Sequence, residues 1–136
     1  MSSAQLSASA QLLLIEPDRI VRSTVASVCR GLDLAQVHQA ASVAIGLQTL
    51  QSQPMDALLL SLSDPDAALT LLERLRGGAF FGSADMPVAV MAVSADAALV
   101  QRLKGLQIRR LLLQPFKIRD VVMTVEGLCT GTAVEA

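Results

Sequence analysis

Short apolar runs that alternate with helix-like stretches constrain the fold of this chain more than any other sequence feature. The runs are residues 12–15, 57–60, 88–91 and 111–113, with a weaker, more polar one at 36–39. The four strong runs contain only aliphatic residues or Met, as expected for strands covered on both faces. In the stretches between them, apolar residues recur every three or four positions, which is typical of helices. The alternation predicts an α/β fold: a five-stranded, doubly wound parallel sheet.

Composition limits the classes of function that are open to the chain. With 136 residues it fits one domain, and 52% hydrophobic against 2% aromatic residues predicts an aliphatic core. A net charge of −1 argues against direct nucleic-acid binding. The apolar runs are too short to cross a membrane and no secretory signal is evident, so we expect a cytoplasmic protein. We predict a flexible N-terminal segment at 1–10, the domain at 11–128 and a C-terminal tail at 129–136.

Ligands of such sheets bind beyond the carboxyl ends of the strands, which here means residues 15–18, 61–66, 92–94 and 114–116. None of these tips carries a Gly-rich phosphate loop, and no Ser-His-Asp set is evident. A small α/β enzyme or nucleotide binder would therefore rest on the fold alone. We predict that the chain is not an enzyme.

The four tips resemble the signature positions of CheY-like response-regulator receiver domains, and the resemblance covers residues 11–128. Where that family has a pair of acids after the first strand, this chain has Glu16 and Pro17. Ser61 stands at the position of the phosphoacceptor Asp, and Ala92 at the position where the family usually has Thr or Ser. Gln114, before Pro115, replaces the Lys. The resemblance implies the flavodoxin-like strand order 2-1-3-4-5 and a cis peptide at Gln114–Pro115.

These replacements remove the chemistry that the family uses. Receiver phosphorylation needs a carboxylate nucleophile, bound Mg²⁺ and a cation beside the phosphoryl oxygens. Pro17 has no side-chain ligand and Ser61 is neutral, so we predict a degenerate pseudo-receiver with no cofactor and no Mg²⁺ or other metal. It would act in two-component or phosphorelay-type signalling through protein–protein interaction, independently of phosphorylation. Gln114 is expected to donate a hydrogen bond to Ser61 or Glu16.

A phosphorelay receiver that is still phosphorylated at a non-standard site is the alternative. Asp18 or Asp64 could serve as a surrogate metal ligand or acceptor, and Ser61 could be modified by a kinase. Each acid also has a structural interpretation: Asp18 as a helix cap and Asp64 as a turn residue before Pro65. The sequence identifies neither the partner and pathway nor whether the chain is free-standing or part of a larger protein.

If the pocket is not phosphorylated, a surface of the domain must bind the signalling partner. The resemblance implies an output face formed by the fourth helix, fifth strand and fifth helix, with these candidate residues: Arg102, Arg109, Arg110, Leu111 and Glu126. A symmetric homodimer that pairs Arg109 or Arg110 with Glu126 is one interpretation, and an ordinary solvated charge pattern is the other. Leu111 stands where the family has a rotating aromatic ring, which favours a fixed conformation.

Two smaller features complete the sequence predictions. Of the adjacent rings Phe80 and Phe81, one is expected to pack on the edge of the core. Cys29 and Cys129 are expected to be buried, inert thiols, with a redox pair between the first and last helices as the alternative.

Overall fold

The computed structural model describes residues 10–129, and the predicted alternation of strands and helices is present throughout them. The elements are β1 (Gln11–Ile15), α1 (Arg19–Gly31), β2 (Gln36–Ala40), α2 (Val43–Ser52), β3 (Ala57–Ser61), α3 (Pro65–Arg76), β4 (Val88–Ala92), α4 (Ala97–Gly105), β5 (Arg110–Leu113) and α5 (Ile118–Cys129). Predictions about residues 1–9 and 130–136 lie outside the described residues. Ala10 is buried, and its carbonyl accepts a hydrogen bond from Gln36 N at 2.9 Å, so the ordered domain already includes this residue.

All strand pairs of the sheet are parallel, in the order β2-β1-β3-β4-β5. This order confirms the predicted doubly wound fold. β1, β3 and β4 are interior strands, and every residue of β3 and β4 is buried. The apolar runs 12–15, 57–60 and 88–91 follow from this position, because helices cover both faces of the sheet. No helix in the described range 10–129 is long and apolar enough to cross a membrane.

Side chains of each strand alternate between two apolar clusters, one on each face of the sheet. On one face, Leu13 and Leu58 pack with residues of α2, α3 and α4, among them Leu50, Leu72 and Leu103. On the other face the cluster combines strand residues with α1 and α5; its members include Leu12, Leu14, Leu59, Val25, Val121 and Val125. The core is therefore aliphatic, as the composition predicts.

Four helices begin at the carboxyl edge of the sheet with a side chain that caps the first turn. Asp18 accepts hydrogen bonds from Ile20 N and Val21 N, which confirms the predicted cap of α1. Ser42, Asp64 and Asp96 cap α2, α3 and α4 in the same way. Such caps satisfy backbone N–H groups that the helix itself leaves free. Asp64, predicted as a turn residue, is thus the cap of α3.

A left-handed residue ends α1. Gly31 is the last helical residue, and the turn is made by Asp33 at a φ of 56°. Leu34 N donates to Cys29 O at 2.9 Å, and the Leu34 side chain packs against the core. This pairing, with its apolar contact, places the left-handed residue two positions beyond Gly31.

Arg76, at the end of α3, ties that helix to two loops. Its Nε donates to Leu106 O at 2.8 Å, and its Nη1 donates to Ala84 O and Met86 O, both at 2.8 Å. Nη2 donates to Gln107 O at 3.3 Å. One guanidinium thus holds the loop before β4 and the turn after α4 against the end of α3.

Candidate functional site

The carboxyl edge of the sheet brings the predicted pocket residues together. Glu16 N donates to Ala40 O at 3.0 Å, so this residue continues the pairing of β1 with β2. Ser61 is the last residue of β3 and pairs with Met91, while Ala92 ends β4 opposite Leu113. The five positions that the resemblance identified therefore lie along one edge: Glu16, Pro17, Ser61, Ala92 and Gln114.

Glu16 carries the only carboxyl group among these five positions, and its side chain is buried, with 2% of its surface exposed. Oε2 accepts a hydrogen bond from Asp18 N at 3.0 Å, but Oε1 has no hydrogen-bond partner in the described part of the chain. Burial raises the pKa of Glu16, and the nearby charge of Asp18 raises it further. The Asp18 N–H, the Ser61 hydroxyl and the charge of Arg22 act in the opposite direction but do not reverse the shift. The pocket therefore disfavours the one negative charge that it could hold.

Ser61 is 6% exposed and lies beside this carboxyl group, with which its hydroxyl interacts. Its Oγ accepts a hydrogen bond from Ser63 N at 3.2 Å. Nε2 of His38 lies 2.5 Å from Oε1 of Gln11, at the opposite end of β1. A serine hydroxyl needs a neighbouring base to become a nucleophile, and His38 is not placed to act as one for Ser61.

Gln114 does not form the hydrogen bond that the sequence suggested. Its backbone N donates to Ala92 O at 2.8 Å, but its side chain bonds to neither Glu16 nor Ser61. Backbone donors two residues along the chain, Asp18 N and Ser63 N, already occupy Glu16 Oε2 and the Ser61 hydroxyl. The predicted cis peptide at Gln114–Pro115 is present.

The side chains of the two surrogate acids, Asp18 and Asp64, cap helices. Oδ1 of Asp18 accepts two backbone hydrogen bonds, and Oδ1 of Asp64 accepts one from Ala67 N at 3.4 Å. Within residues 10–129, no three His, Cys, Asp or Glu side chains are grouped so that they could hold a metal ion. Mg²⁺ prefers several hard oxygen ligands in octahedral geometry. A single carboxyl group that resists ionisation, next to a proline and a serine, does not suit this ion.

The charged residues of the predicted output face are distributed rather than clustered. Arg102 forms an ion pair with Glu73 of α3 at 2.6 Å, and both side chains are about half exposed. Arg109 donates to Gly127 O at 3.4 Å, which places its guanidinium at the end of α5, next to Glu126 in sequence. The remaining two residues lie in β5: Arg110 is half-buried, and Leu111 packs partly buried against the core.

The sequence analysis did not predict that two large apolar side chains on this face are exposed. Leu113 at the end of β5 is 48% exposed and Met123 of α5 is 55% exposed, whereas the exposed Ile118 lines a groove with Val21 of α1. In the sequence they belong to the same periodic apolar patterns as the core residues. Only their exposure in the folded structure shows that these members of the pattern face solvent.

The phenylalanine and cysteine predictions can also be compared with the structure. Phe80 packs against the core while Phe81 is exposed, so the prediction that one ring packs is confirmed. Both thiols are free; Cys29 is buried and Cys129 half-buried. Burial raises the pKa of Cys29 to about 11 and that of Cys129 to about 12. Such thiols stay protonated near neutral pH, which agrees with the prediction that they are inert.

Comparison with known proteins supports the fold but gives no family assignment from sequence. No family model matches the chain, and no curated protein matches it. The receiver domain of non-phosphorylated HemR from Leptospira biflexa has a TM-score of 0.78 at 19% identity, covering 94% of this chain and 100% of that one. A response regulator from Thermotoga maritima has a TM-score of 0.76 at 18% identity, with 90% and 98% covered. CheY4, a chemotaxis protein of Vibrio cholerae, has a TM-score of 0.77 at 16% identity, with 88% and 98% covered.

These similarities, together with the strand order and the edge geometry, define the class of the fold. The chain has the fold of CheY-like response-regulator receiver domains.

Proposed function

We propose that this domain is a receiver of two-component type signalling that works without phosphorylation, by binding another protein. The observation that carries the proposal is the pocket at the carboxyl edge, where Glu16 is a buried carboxyl group with a raised pKa and an unbonded oxygen. Pro17, Ser61 and Gln114 supply no further charge beside it. Phosphoryl transfer to a receiver needs a nucleophile and positive charge around the phosphoryl oxygens, and these residues offer neither.

The same residues lead us to propose that the domain holds no Mg²⁺ and has no enzymatic activity of its own. A metal site would have to recruit Asp18 or Asp64, whose carboxylates cap α1 and α3. Withdrawing either one would leave backbone N–H groups of the first helical turn without a partner, at a cost of about 1 kcal/mol. This cost favours the caps over metal binding.

A fixed conformation follows from the residues at the ends of β4 and in β5. Ala92 has no hydroxyl that could move toward a phosphoryl group, and Leu111 is packed against the core. Without these two moving parts, the output face stays in one state. Binding would then be controlled by the presence of the partner rather than by modification. A cytoplasmic location fits such a signalling partner.

For the partner we propose the face formed by α4, β5 and α5. Its exposed Leu113 and Met123 offer apolar anchors, and Arg109 and Arg110 add positive charge. Exposed apolar side chains with a charged surround are typical of protein interfaces. The partner is a signalling protein. A second copy of the chain, with Glu126 facing Arg109 or Arg110, would use the same face, and light scattering of Glu126→Arg tests it: loss of a dimer supports the pairing.

The proposal can be tested with beryllium fluoride and Mg²⁺, a mimic of the phosphoryl group, followed by backbone NMR shifts. The matched control is the same chain with the four replacements Pro17→Asp, Ser61→Asp, Ala92→Thr and Gln114→Lys, which restore the missing groups. We expect no saturable shifts in the native chain and a saturable response in the control variant. Saturable shifts at Glu16 and Ser61 of the native chain at millimolar Mg²⁺ would contradict the proposal.

Mass spectrometry after treatment with acetyl phosphate separates the proposal from the alternative. Stoichiometric aspartyl phosphate on Asp18 or Asp64 would show a receiver that is phosphorylated at a non-standard site. An unmodified chain, next to a modified control variant, is the result that we expect.

A further inference from the structure

A cavity of about 670 Å³ lies between the first turns of α2 and α3, and the sequence analysis did not predict it. Its apolar lining includes Ile15, Val43, Leu47 and Leu71. Pockets for small molecules usually measure about 300–1,000 Å³ and combine an apolar lining with a few polar groups. The cavity therefore has the size and the surface of a small-molecule site.

The space exists because small residues line the cavity where larger ones could fill it. Ala41, Ala44 and Ala67 contribute only methyl groups to its walls. α2 is held close to β1 at Gly46, where a Cβ atom would collide with the side chain of Ile15. Because Ile15 is fixed between the strand and this glycine, it cannot extend into the cavity without moving α2.

Charged groups of the cavity are separated along α3. Asp64 and Asp66 lie at its first turn, with the hydroxyl groups of Ser61 and Ser63 nearby on the lining. Arg74 follows eight positions after Asp66, about 12 Å farther along the helix at 1.5 Å per residue. Its guanidinium stacks on the ring of Phe80, 5.4 Å from the centroid. One end of the cavity is thus acidic, while the cation at the other end already has an aromatic partner.

The acidic end has a carboxylate available for a ligand. Asp66 forms no hydrogen bond or ion pair with any residue in the range 10–129, whereas Asp64 uses Oδ1 for its cap. The helix N-termini do not balance this charge completely, because Ser42 and Asp64 already accept from first-turn N–H groups. An anionic head group would face two carboxylates here, whereas an ammonium group would be attracted by them.

We propose that this cavity binds a small amphipathic cation, with a primary ammonium group at Asp64 and Asp66. Its aliphatic body, of about eight carbons, lies along Leu47 and Leu71 and is shorter than the span of about 12 Å between Asp66 and Arg74, so that it ends before the guanidinium. The proposal does not depend on the proposed function. It adds to it, because Pro17 and Ser61 also line the cavity, so that the bound ligand touches the former phosphorylation pocket.

Titration with three probes of equal chain length tests the charge preference. Octylammonium, octanol and octanoate are added, below their micelle concentrations, to the ¹⁵N-labelled chain, and amide shifts are followed. We expect saturable shifts at Ser61, Asp66 and Leu71, with octylammonium binding about fivefold more tightly than octanol and octanoate binding most weakly. Equal or tighter binding of octanoate would overturn the assignment of the head group. Absence of saturable shifts with all three probes would overturn the site.

Variants of the chain test which residues cause the charge preference. Asp64→Asn with Asp66→Asn removes the charge, while the asparagine still caps α3; octylammonium should then bind no better than octanol. Asp96→Asn, at the cap of α4, is the matched control and should leave the preference unchanged. Ala67→Leu fills the cavity and should abolish binding of all three probes while the circular dichroism spectrum stays native. If the charge-neutral double variant kept the fivefold preference, the proposal would be wrong, whatever the outcome of the beryllium fluoride experiment.

Discussion

Arg76 gives the most quantitative prediction about this fold. The half-buried guanidinium donates three hydrogen bonds of 2.8 Å and one of 3.3 Å to carbonyl groups in two different loops. Replacing it by methionine in Arg76→Met keeps an apolar stem and removes all four. The carbonyl groups then lose a charged donor that bridges the end of α3, the loop before β4 and the turn after α4.

The expected loss is worked from the three short bonds. At about 1 kcal/mol net for each, they contribute about 3 kcal/mol to the free energy of unfolding. In a domain of this size about 1 kcal/mol corresponds to about 3 °C, so the melting temperature should fall by about 10 °C. Arg76→Lys should lie between the two, because an ammonium group reaches only some of the carbonyl oxygens and lacks the planar fork.

Urea unfolding followed by circular dichroism measures the effect, with Arg102→Met as the matched control. Arg102, in α4, lies on the same side of the sheet as α3, but its partner is the exposed carboxylate of Glu73. Such an ion pair is worth about 0–1 kcal/mol. If Arg76→Met and Arg102→Met cost the same, the network of backbone carbonyl bonds would have no special weight, and the reasoning would be refuted.

Three further predictions concern single sites. Because burial raises the pKa of Glu16 in the folded chain above the ordinary value of 4.5, ionisation of this group opposes folding, and the native chain should lose stability relative to Glu16→Gln as the pH rises from 4 to 8. A difference in urea midpoints that does not change with pH would contradict this prediction. Asp33→Gly should stabilise the chain by about 0.5–1 kcal/mol, because φ is 56° at this residue, and Gly78→Ala, at a φ of 81°, should destabilise it by about 1 kcal/mol. A lower melting temperature for Asp33→Gly than for Gly78→Ala would refute the assignment of strain. Cys29 and Cys129 should react with iodoacetamide at pH 8 only after unfolding, as measured by intact mass, and rapid labelling of the folded chain would show that burial does not hold their pKa values at about 11 and about 12.

The strands could be predicted because their burial is recorded directly in the sequence. Residues 57–60 and 88–91 are apolar throughout, and both runs became interior strands. β2 gave a weak signal because an edge strand keeps polar side chains such as Gln36 and Gln39. The edge of the candidate site followed from the same reasoning, since parallel strands bring their carboxyl ends together.

Side-chain partners were less predictable because they depend on competition between donors. The sequence offered Gln114 two acceptors, but Asp18 N and Ser63 N bond to Glu16 Oε2 and the Ser61 hydroxyl, and the Gln114 side chain does not bond to the remaining Glu16 Oε1. Arg76 was missed for a related reason: a single arginine at the end of a helix resembles an ordinary solvated charge. Its carbonyl partners come from segments up to 31 residues away, which no local pattern reveals.

The position of α5 has a consequence for the synthesis of the chain. This last helix supplies Val121, Val125 and Leu128 to the cluster that covers Leu12 and Leu14. Until α5 leaves the ribosome, only α1 covers this side of the growing sheet, and the leucines that α5 would cover are exposed, which is the kind of surface that chaperones bind. Chains truncated before residue 118 should therefore aggregate or remain bound to chaperones, even though all five strands are already present.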